Sequence, residues 1–593
     1  MSDTGEHGRG DTGERGTSDI GVADREWWKE AVIYQIYPKS FDDGDGDGVG
    51  DLPGITERVG YLDDLGVDGV WLCPVYESPM ADNGYDISDY RAIDPQFGTM
   101  TDWEELLEAL HAHDVRLIMD LVVNHTSKEH EWFRRSRREE DGYEDFYHWV
   151  EGTPDEPPNN WESLFGGSAW TYDDRREAWY LSIFDPAQPD LNWRNPAVRE
   201  AMTSVAEFWL DRGVDGFRLD AASHLSKADG YPDGDPANAV TGIERFTHGP
   251  RLSAYLGELC AETIAKRDAV TAAEMGATSL EQATPYLADD AVGVDMIFQF
   301  DHLELGDAAS GRLDADDWGE WDLRELKATI DRRQERLADV GWDPLTLSNH
   351  DLPRAVSRFG DEAYRHASAT LLATFLLTMR GTPFVYQGAE LGATNAAFDD
   401  LSEVDDPWIR GKVDALLAEG AIDSFDEVRD VVNYRSRDHG RVPIPWTDGP
   451  NGGFTEGMPW LDPSSRGAEV DVASAREDPE SVWAHYRELI DLRHERDVLV
   501  YGDYEPLSPD DERLFAYERT LGGRRAVVAL GWSDEGATFE PPRTDGDAGS
   551  TATGQDPELL YWNYPDPPVP PATGADAIDL RPYEAVVYEV TPE

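Results

Sequence analysis

The chain has 593 residues and a formal net charge of −70 at pH 7, with a sequence pI near 4.3. This length exceeds what one compact core usually supports, so we expect one large domain with smaller ones attached. The excess of 121 acidic over 51 basic residues argues against nucleic acid and anionic membranes as partners, because both would be repelled.

The acidic charge also indicates the solvent to which the surface is suited. Only seven of the 51 basic residues are lysine. High charge can mark disorder, but 40% hydrophobic residues, with 20 Trp and 24 Tyr, are ample for a packed core. Concentrated salt would screen the self-repulsion of such a folded chain. This composition resembles that of proteins from salt-loving microbes, and we predict a salt-adapted protein.

Three features bear on where the protein is located. Residues 1–24 are rich in Gly, Asp and Glu without the apolar segment of a signal peptide, so we predict a disordered tail. The two cysteines, Cys73 and Cys260, give no disulfide framework, which suits a reducing compartment. No apolar run reaches the length of a membrane span. These features predict a cytoplasmic protein without a membrane anchor.

From residue 31 onward, short apolar segments alternate with amphipathic segments such as 100–113 and 197–211. The apolar segments predict eight strands, at 31–37, 69–72, 115–123, 214–219, 269–273, 294–300, 345–348 and 383–386. Strands that alternate with helices predict an α/β fold whose parallel sheet closes into a (β/α)8 TIM barrel. A doubly wound open sheet is the alternative, but no glycine-rich phosphate loop follows the first strand.

Two connections are too long for ordinary loops between a strand and a helix. Residues 125–194 follow the third strand, are rich in Trp, Tyr, Gly and Pro, and predict an inserted subdomain. Residues 393 to about 460 follow the eighth strand as a second insertion. The barrel then comprises residues 25–124 and 195–500. Alternating runs in residues 501–593 predict a C-terminal antiparallel β-sandwich domain.

Charged side chains follow several predicted strands at their carboxyl ends, where TIM barrels place their chemistry. Strand four ends in Arg218 and Asp220, which share one face because alternate side chains of a strand point the same way. Strand five ends in Glu274, and strand seven continues into His350 and Asp351. An isolated Arg-x-Asp pair is more often a structural ion pair. Its combination with the other strand ends predicts an active site.

Asp220 and Glu274 are two carboxyl groups in different surroundings, which suits one as a nucleophile and the other as a proton carrier. Retaining glycosidases need two carboxyl groups about 5 Å apart, one as the nucleophile and one that donates and accepts a proton. The guanidinium of Arg218 favours an ionised Asp220, whereas an apolar strand favours a raised pKa for Glu274. We therefore predict Asp220 as the nucleophile and Glu274 as the acid/base.

Several segments, in order, resemble the conserved regions of the α-amylase superfamily (glycoside hydrolase family 13). They are Asn83-Gly-Tyr-Asp-Ile-Ser-Asp-Tyr90, Asp-Leu-Val-Val-Asn-His125, Gly-Phe-Arg-Leu-Asp220, Ala-Ala-Glu274 and Ser348-Asn-His-Asp351. Gln188-Pro-Asp-Leu-Asn192 resembles the marker of the oligo-1,6-glucosidase and α-glucosidase branch. The resemblance extends from residue 27 to the C-terminal domain and implies the TIM barrel independently.

The resemblance implies roles for the matching residues. Asp220 and Glu274 match the nucleophile and the acid/base, and Asp351 matches the carboxylate that binds substrate hydroxyls and steadies the oxocarbenium-like transition state. The residues that match substrate-binding positions are Arg218, Asp86, His125 and His350, the aromatic residues Tyr85, Phe165 and Phe184, and Arg437. Arg441 is an alternative to Arg437, and the two phenylalanines are alternatively part of the subdomain core.

A further signal is the loop from Asp43 to Asp51, in which acidic residues and glycines alternate. It resembles the first half of a calcium loop but lacks the bidentate Glu of an EF-hand. In the α-glucosidase branch an equivalent loop binds a divalent cation. The resemblance therefore implies a structural cation, calcium or alternatively magnesium, held by the residues Asp43, Asp45, Asp47, Asp51 and the Val49 carbonyl. An acidic turn without a cation is the alternative, and no organic cofactor is implied.

The whole chain resembles an exo-acting α-glucosidase that releases glucose from short α-glucosides with retention. Relatives that prefer α-1,6 linkages usually carry Val after the nucleophile, whereas Ala or Thr accompanies α-1,4 preference, so Ala221 implies maltose-type substrates. The alternatives are an α-1,6-preferring oligo-1,6-glucosidase and a glucosyl-transferring enzyme of the sucrose isomerase or trehalose-forming type. A non-catalytic transporter heavy chain would lack the carboxylates and carry a membrane helix. We expect a monomer or small homo-oligomer.

Overall fold

The computed structural model describes residues 25–276, 278–288, 292–308, 311–463, 470–541, 557–566 and 577–590. The predicted disordered tail, residues 1–24, lies outside the described residues. Among the helices that are described, none combines the length and the apolar character needed to span a membrane.

Helices and strands alternate through most of the described chain. The α-helices are α1 (Trp27–Glu30), α2 (Leu52–Glu57), α3 (Val59–Leu65), α4 (Met100–Ala112), α5 (Glu131–Arg137), α6 (Pro196–Leu210), α7 (Ile243–Phe246), α8 (Leu252–Glu262), α9 (Leu280–Ala288), α10 (Leu323–Leu337), α11 (Ala355–Phe359), α12 (Arg365–Thr378), α13 (Pro407–Glu419), α14 (Arg429–Arg435), α15 (Asp438–Arg441), α16 (Val472–Glu477), α17 (Val482–Glu495) and α18 (Asp497–Tyr501). The β-strands are β1 (Ile33–Ile36), β2 (Gly69–Leu72), β3 (Tyr76–Glu77), β4 (Asp89–Ile93), β5 (Arg116–Val122), β6 (Trp149–Glu151), β7 (Trp170–Asp173), β8 (Ala178–Leu181), β9 (Gly216–Asp220), β10 (Val270–Glu274), β11 (Met296–Phe298), β12 (Pro344–Leu345), β13 (Thr382–Tyr386), β14 (Asp503–Pro506), β15 (Leu514–Leu521), β16 (Arg524–Gly531), β17 (Ala537–Phe539), β18 (Glu558–Trp562), β19 (Ile578–Leu580) and β20 (Ala585–Val590).

Eight strands form one parallel sheet in the order β11-β10-β9-β5-β2-β1-β13-β12. A parallel bridge from Met296 of β11 to Trp342, just before β12, joins the two ends of this sheet. Strands such as β1, β2 and β13 are buried along their whole length, as expected when helices cover the outside and side chains fill the inside. The predicted TIM barrel is confirmed.

The seventh barrel strand is shorter than the sequence predicts. Instead of residues 345–348, only Pro344 and Leu345 pair with β13. The hydroxyl of Thr346 donates a hydrogen bond of 2.8 Å to the Ser348 carbonyl, a local side-chain bond that competes with the ladder. The chain therefore leaves the sheet early, and the residues that follow turn over the end of the barrel.

Residues 125–194 carry a small antiparallel sheet of their own, in the order β6-β8-β7. A separate aromatic core lies beside this sheet and includes Trp161, Trp170 and Trp179. Phe246, from α7 after the fourth barrel strand, is buried in the same core. This packing fixes the inserted segment over the carboxyl ends of the barrel strands.

Two further clusters complete the described fold. Helices α13 and α14 of the second insertion bury Ile409, Val413 and Val432 together with Phe398. The C-terminal strands form a five-stranded antiparallel sheet, β14-β15-β16-β20-β18, and a two-stranded one, β17-β19. Leu514, from the larger sheet, packs in one core with Phe539 and Ile578 of the smaller sheet. This arrangement is the predicted C-terminal β domain.

The register of the barrel strands brings the predicted catalytic residues together. Arg218 of β9 is paired with Asp120 of β5 on one side and with Ala272 of β10 on the other. Asp220 and Glu274 are the last residues of β9 and β10. Because the two strands are parallel neighbours, both carboxyl groups leave the sheet at the same end of the barrel.

Candidate active site

Arg218 lies at the centre of the site and binds three carboxyl groups. Its Nη1 donates to Asp220 Oδ1 at 2.7 Å and to Asp120 Oδ1 at 2.6 Å. Its Nη2 lies 2.8 Å from Glu274 Oε2. Arg218 is only 3% exposed, so the guanidinium is fixed by the protein rather than by water. One rigid cation therefore sets the relative positions of Asp220 and Glu274.

The same cluster contains more negative than positive groups. Burial raises the pKa of Asp220 well above its usual value. The Arg218 guanidinium lowers this pKa, and the nearby carboxylates of Glu274 and Asp120 raise it again. The Arg-x-Asp pattern predicts only the effect of Arg218, since burial and the other carboxylates become apparent in three dimensions. Three carboxyl groups around one guanidinium favour retention of a proton within the group.

A sharp turn after β9 aims a backbone donor at Glu274. Ala221 has a φ of 51°, in the left-handed region that non-glycine residues rarely adopt. In this conformation the Ala221 N–H donates to Glu274 Oε2 at 3.0 Å. Together with Arg218, this bond holds one oxygen of Glu274 from two directions. The Ala221 side chain also lines the pocket, beside the two carboxyl groups.

Asp351 lies among three basic side chains. It accepts from Arg441 Nη2 at 2.9 Å and from Arg437 Nη1 at 3.3 Å, and its Oδ2 is 3.1 Å from His350 Nε2. Burial opposes ionisation, but His350, Arg437 and Arg441 outweigh it and hold the pKa of Asp351 below its usual range. Asp351 is thus an anion that faces the pocket.

The structure separates the two candidate arginines. Arg437 lines the pocket, and its guanidinium lies 5.5 Å from the centre of the Phe165 ring. Arg441 is 1% exposed, donates from Nε to the His350 carbonyl at 2.8 Å and supports Asp351 from behind. The position predicted for Arg437 is therefore the one that a substrate can reach.

The loop before β4 contains a residue that the sequence reasoning missed. Asp82 lines the pocket, and its Oδ1 lies 3.7 Å from Arg437 Nη2. Asp86, which the resemblance implied as a glucose-binding residue, is fully buried and does not line the pocket. It accepts from the Ser78 hydroxyl and from the Asp82 N–H, each at 3.0 Å, and so holds the loop in place. The sequence does contain a signal for Asp82, because it directly precedes the Asn83-Gly-Tyr85 part of the motif that also includes Asp86.

Aromatic side chains form the walls of a cavity of about 400 Å³. Tyr85, Phe165 and Phe184 all line it, so the predicted walls do come together. Phe184 packs against His125, with ring centres 5.0 Å apart, and against Phe165 at 5.8 Å. Tyr85 stacks on His350 at 5.3 Å with an interplanar angle of 7°. His350 itself is 1% exposed and contacts the cavity through Tyr85 and Asp351 rather than directly.

The Gln188-Pro-Asp-Leu-Asn192 segment connects the inserted subdomain to this cavity. The Gln188 amide Nε2 lies 3.1 Å from Asp82 Oδ2 and 3.1 Å from His125 Nε2. Asp190 forms a fully buried ion pair with Lys227, at 2.6 Å. Gln188 thus orients two pocket residues, and Asp190 anchors the segment that carries it.

The predicted cation loop brings three of its four aspartates together. One carboxylate oxygen from each of Asp43, Asp45 and Asp51 lies within 4.8 Å of the others. Asp47 is directed differently, since its Oδ1 accepts from the Val49 N–H at 2.9 Å. The three grouped carboxylates are hard oxygen ligands of the kind that calcium and magnesium prefer.

Comparison with known proteins agrees with this geometry. The profile of the α-amylase catalytic domain matches residues 35–502. The oligo-1,6-glucosidase of Halalkalibacterium halodurans is 44% identical over 568 residues, which cover 95% of this chain and 99% of that protein. The α-glucosidase of Pediococcus pentosaceus is 40% identical, with coverage of 95% and 99%. The solved isomaltulose synthase of Erwinia rhapontici matches with a TM-score of 0.89 at 37% identity, covering 96% and 100%. This chain therefore belongs to the α-amylase superfamily of glycoside hydrolases, in its oligo-1,6-glucosidase and α-glucosidase branch.

Proposed function

We propose that the protein is a retaining, exo-acting α-glucosidase that releases glucose from the non-reducing ends of short α-glucosides. The observation that carries the proposal is the shared guanidinium of Arg218, which holds Asp220 and Glu274 side by side at one cavity. Two carboxyl groups in such an arrangement suit a double-displacement reaction.

Asp220 and Glu274 divide the two steps between them. In the first step Glu274 donates its proton to the glycosidic oxygen while the Asp220 carboxylate attacks the anomeric carbon, so the aglycone leaves as a neutral alcohol. In the second step the Glu274 carboxylate takes a proton from water, and the water oxygen displaces Asp220 from the anomeric carbon. Glu274 recovers its proton, Asp220 its charge, and the released glucose keeps the α configuration.

The exo mode is supported by the charged residues of the inner cavity. Asp351 and Asp82 present carboxylates to it, and Arg437 lies between them at 3.3 Å and 3.7 Å. Such groups recognise the hydroxyls of a terminal glucose, and the Tyr85 ring supplies an apolar wall. Asp351 in addition stabilises positive charge on the ring in the transition state.

For the linkage we propose a preference for α-1,4 over α-1,6, since the small Ala221 side chain borders the cavity next to both carboxyl groups. The α-1,6 alternative has the support of relatives such as the oligo-1,6-glucosidase of Parageobacillus thermoglucosidasius, 43% identical. Glucosyl transfer is a second candidate, because trehalulose synthase of Pseudomonas mesoacidophila matches with a TM-score of 0.88. Transfer and hydrolysis share the intermediate and differ in the acceptor.

One product analysis separates these activities. Purified enzyme is incubated in turn with maltose, isomaltose and sucrose, and the products are separated by chromatography. We expect glucose as the main product and a higher kcat/KM for maltose than for isomaltose. A disaccharide isomer formed from sucrose as the main product would favour transfer, and no reaction with any α-glucoside would overturn the proposal.

We also propose that the Asp43–Asp51 loop binds a structural divalent cation, calcium or magnesium. Asp43, Asp45 and Asp51 fit as carboxylate ligands. The resemblance adds Asp47 and the Val49 carbonyl, and of these Asp47 is directed towards the Val49 N–H. The loop packs against the segment after α15, where Thr455 donates to Asp43 at 2.5 Å, so the cation would fasten these two segments. Metal analysis should find bound cation, and chelation should lower the melting temperature. Protein without divalent cation and insensitive to chelation would refute this.

The working environment is a further proposal. We infer a cytoplasmic enzyme, because Cys73 and Cys260 are both buried free thiols. We infer adaptation to high salt from the net charge of −70. We expect the enzyme to act as a monomer or small homo-oligomer. Light scattering in dilute buffer and in molar KCl measures the assembly. A large aggregate in KCl, with activity confined to dilute buffer, would contradict adaptation to salt.

A further inference from the structure

A directional chain of hydrogen bonds lies beneath the cavity, between β1 and β5. The Gln35 amide Nε2 is 2.9 Å from His350 Nδ1, and His350 Nε2 is 2.7 Å from the Tyr85 hydroxyl. Tyr85 continues to Asp120 Oδ2 at 3.1 Å, and Asp120 binds Arg218. The chain therefore links Gln35 to the guanidinium that holds the catalytic carboxyl groups.

The acceptors along this chain determine where the His350 proton lies. In the proposed reaction the proton retained by the carboxyl cluster is on Glu274, so Asp120 is ionised and can only accept hydrogen bonds, as it does from Trp71 and Arg218. The Tyr85 hydroxyl therefore donates its hydrogen to Asp120. The Tyr85 oxygen must then accept from His350 Nε2. Asp351 Oδ2, 3.1 Å from the same nitrogen, is a second acceptor that requires a proton there. Both neighbours of Nε2 therefore favour the Nε2–H form.

The other ring nitrogen then needs a donor. Burial lowers the pKa of His350 to about 3, so the ring is neutral near pH 7 and Nδ1 carries a lone pair. His350 and Gln35 are each 1% exposed, so water is excluded from this contact. The Gln35 amide supplies an N–H at 2.9 Å. An unsatisfied ring nitrogen at this depth would be costly.

We propose that Gln35 is a positioning residue that fixes His350 as the Nε2–H tautomer and thereby keeps the donor that Asp351 and Tyr85 share. This inference rests on the proposed function, because it assigns a supporting role in the same reaction. With the other tautomer, a lone pair of His350 would face the Asp351 carboxylate and the Tyr85 oxygen. Asp351 would lose a donor, and the wall formed by Tyr85 would lose its support.

Two substitutions separate this role from simple packing. Gln35→Met keeps the length of the side chain and removes the donor, so kcat/KM should fall about 10- to 100-fold at every pH. Gln35→Glu places a carboxyl group beside His350 Nδ1. As long as this carboxyl group and the ring together hold one proton more than a carboxylate and a neutral ring, Nδ1 is paired and Nε2 keeps its hydrogen. When that proton leaves, the carboxylate attracts the remaining ring proton to Nδ1. Its kcat/KM relative to wild type should therefore be near one at low pH and fall in a one-proton step as the pH rises.

The other groups around the ring leave such a step identifiable. Burial raises the pKa of Tyr37, which stacks on the ring at 5.9 Å, and that of Cys73, 3.4 Å from Gln35 Nε2, so both stay protonated. Burial also raises the pKa of Tyr85, and Asp351 stays ionised because its pKa is held low. The guanidiniums of Arg441, Arg437 and Arg218 keep their charge throughout. None of these groups titrates between about pH 5 and pH 8.

The control is a buried glutamine outside the site. Gln334 of α10 is 2% exposed and donates to the Arg380 carbonyl at 2.9 Å. Gln334→Glu buries a similar carboxyl group, so any general effect on stability should appear there as well. The pH profile of its kcat/KM should match wild type. The same one-proton step in this variant would show that the step in Gln35→Glu is not specific to His350.

A spectroscopic measurement tests the tautomer without reference to activity. Protein labelled with ¹⁵N in the histidine rings distinguishes protonated from bare ring nitrogens, and the His350 signals are identified by their loss in His350→Asn. We expect Nε2 protonated and Nδ1 bare in wild type, and a ring proton moved to Nδ1 in Gln35→Glu at a pH above its one-proton step. A protonated Nδ1 in wild type would overturn the inference even if glucose is released. A wild type that releases no glucose would instead overturn the proposed function.

Discussion

The Arg437 guanidinium joins Asp82, with Nη2 3.7 Å from Asp82 Oδ1, across the inner cavity. Arg437 comes from the insertion after the eighth barrel strand, and Asp82 from the loop before β4. Asp406 Oδ1, 2.8 Å from Arg437 Nε, holds the arginine in this position. Two segments more than 350 residues apart in sequence therefore line one cavity together.

This pairing predicts different outcomes for two aspartates four residues apart. Asp82→Asn removes a charge from the cavity and should lower kcat/KM about 10- to 100-fold, since charged hydrogen bonds to the substrate are lost. Asp86→Asn changes a buried residue outside the cavity wall and should mainly lower the melting temperature. Steady-state kinetics and thermal unfolding of both variants measure this. A larger loss of kcat/KM in Asp86→Asn than in Asp82→Asn would reverse the assignment.

The different positions of Asp82 and Asp86 show what the sequence can predict. The strand ends that carry Arg218, Asp220 and Glu274 follow from apolar periodicity, because a parallel barrel brings successive carboxyl ends together. The loop that carries Asp82 has no such periodicity, so the direction of its side chains depends on long-range contacts with Arg437 and Gln188. The structure therefore brings the motif residues on strands together as expected, whereas on the loop Asp82 lines the cavity and Asp86, four positions later, does not.

The linkage prediction concerns Ala221. Ala221→Val should move the kcat/KM ratio towards isomaltose, since one or two methyl groups are worth about 10- to 200-fold in discrimination. The φ of 51° adds a cost, because a β-branched residue fits the left-handed region poorly, and the melting temperature should fall. Ala221→Thr is the matched control, with the same branching and strain. A wild type that prefers isomaltose, or a ratio equally unmoved in both variants, would remove Ala221 as the selector.

Salt should stabilise the enzyme. At a net charge of −70 the folded chain repels itself, and the Debye length shrinks from about 30 Å at 0.01 M to about 3 Å at 1 M salt. We expect both the melting temperature and the activity to rise from dilute buffer to molar KCl. Calorimetry and initial rates across that series measure the effect. A melting temperature that stays constant would count against salt adaptation.

A buried histidine outside the cavity predicts loss of stability in acid. His130 caps α5 by accepting from the Trp132 N–H, and burial together with Arg134 lowers its pKa from 6.5 to about 3. Between these two values the unfolded chain binds the extra proton, so stability rises with pH and is lost as the pH falls from about 6.5 towards 3. Within this range one such group changes the free energy of unfolding by at most about 1.4 kcal/mol per pH unit.

The variant His130→Asn tests this effect, because asparagine keeps a cap acceptor and does not titrate. Its melting temperature should fall less between pH 7 and pH 5 than that of wild type. Equal falls in both proteins would show that His130 does not contribute.

The proton affinity of Asp220 could not be predicted from the sequence, because it depends on burial and on groups from other strands. The Arg-x-Asp pattern identifies the partner of Asp220, but Asp120 reaches the same guanidinium from a neighbouring strand, and Glu274 from the other side. A carboxyl group with three charged neighbours has a proton affinity that depends on all of them. The two-residue spacing of Arg218 and Asp220 predicts that they lie together, whereas the contacts of Arg218 with Asp120 and Glu274 arise only from the fold.

The most direct test of the account is the configuration of the glucose that leaves the enzyme. Proton NMR during the first turnovers on maltose resolves the two anomers before they interconvert. The roles of Asp220 and Glu274 predict α-glucose first, and Asp220→Asn should lose several orders of magnitude in kcat while its fold is retained. First release of β-glucose, or an Asp220→Asn variant that keeps more than about a tenth of the wild-type rate, would contradict the double displacement.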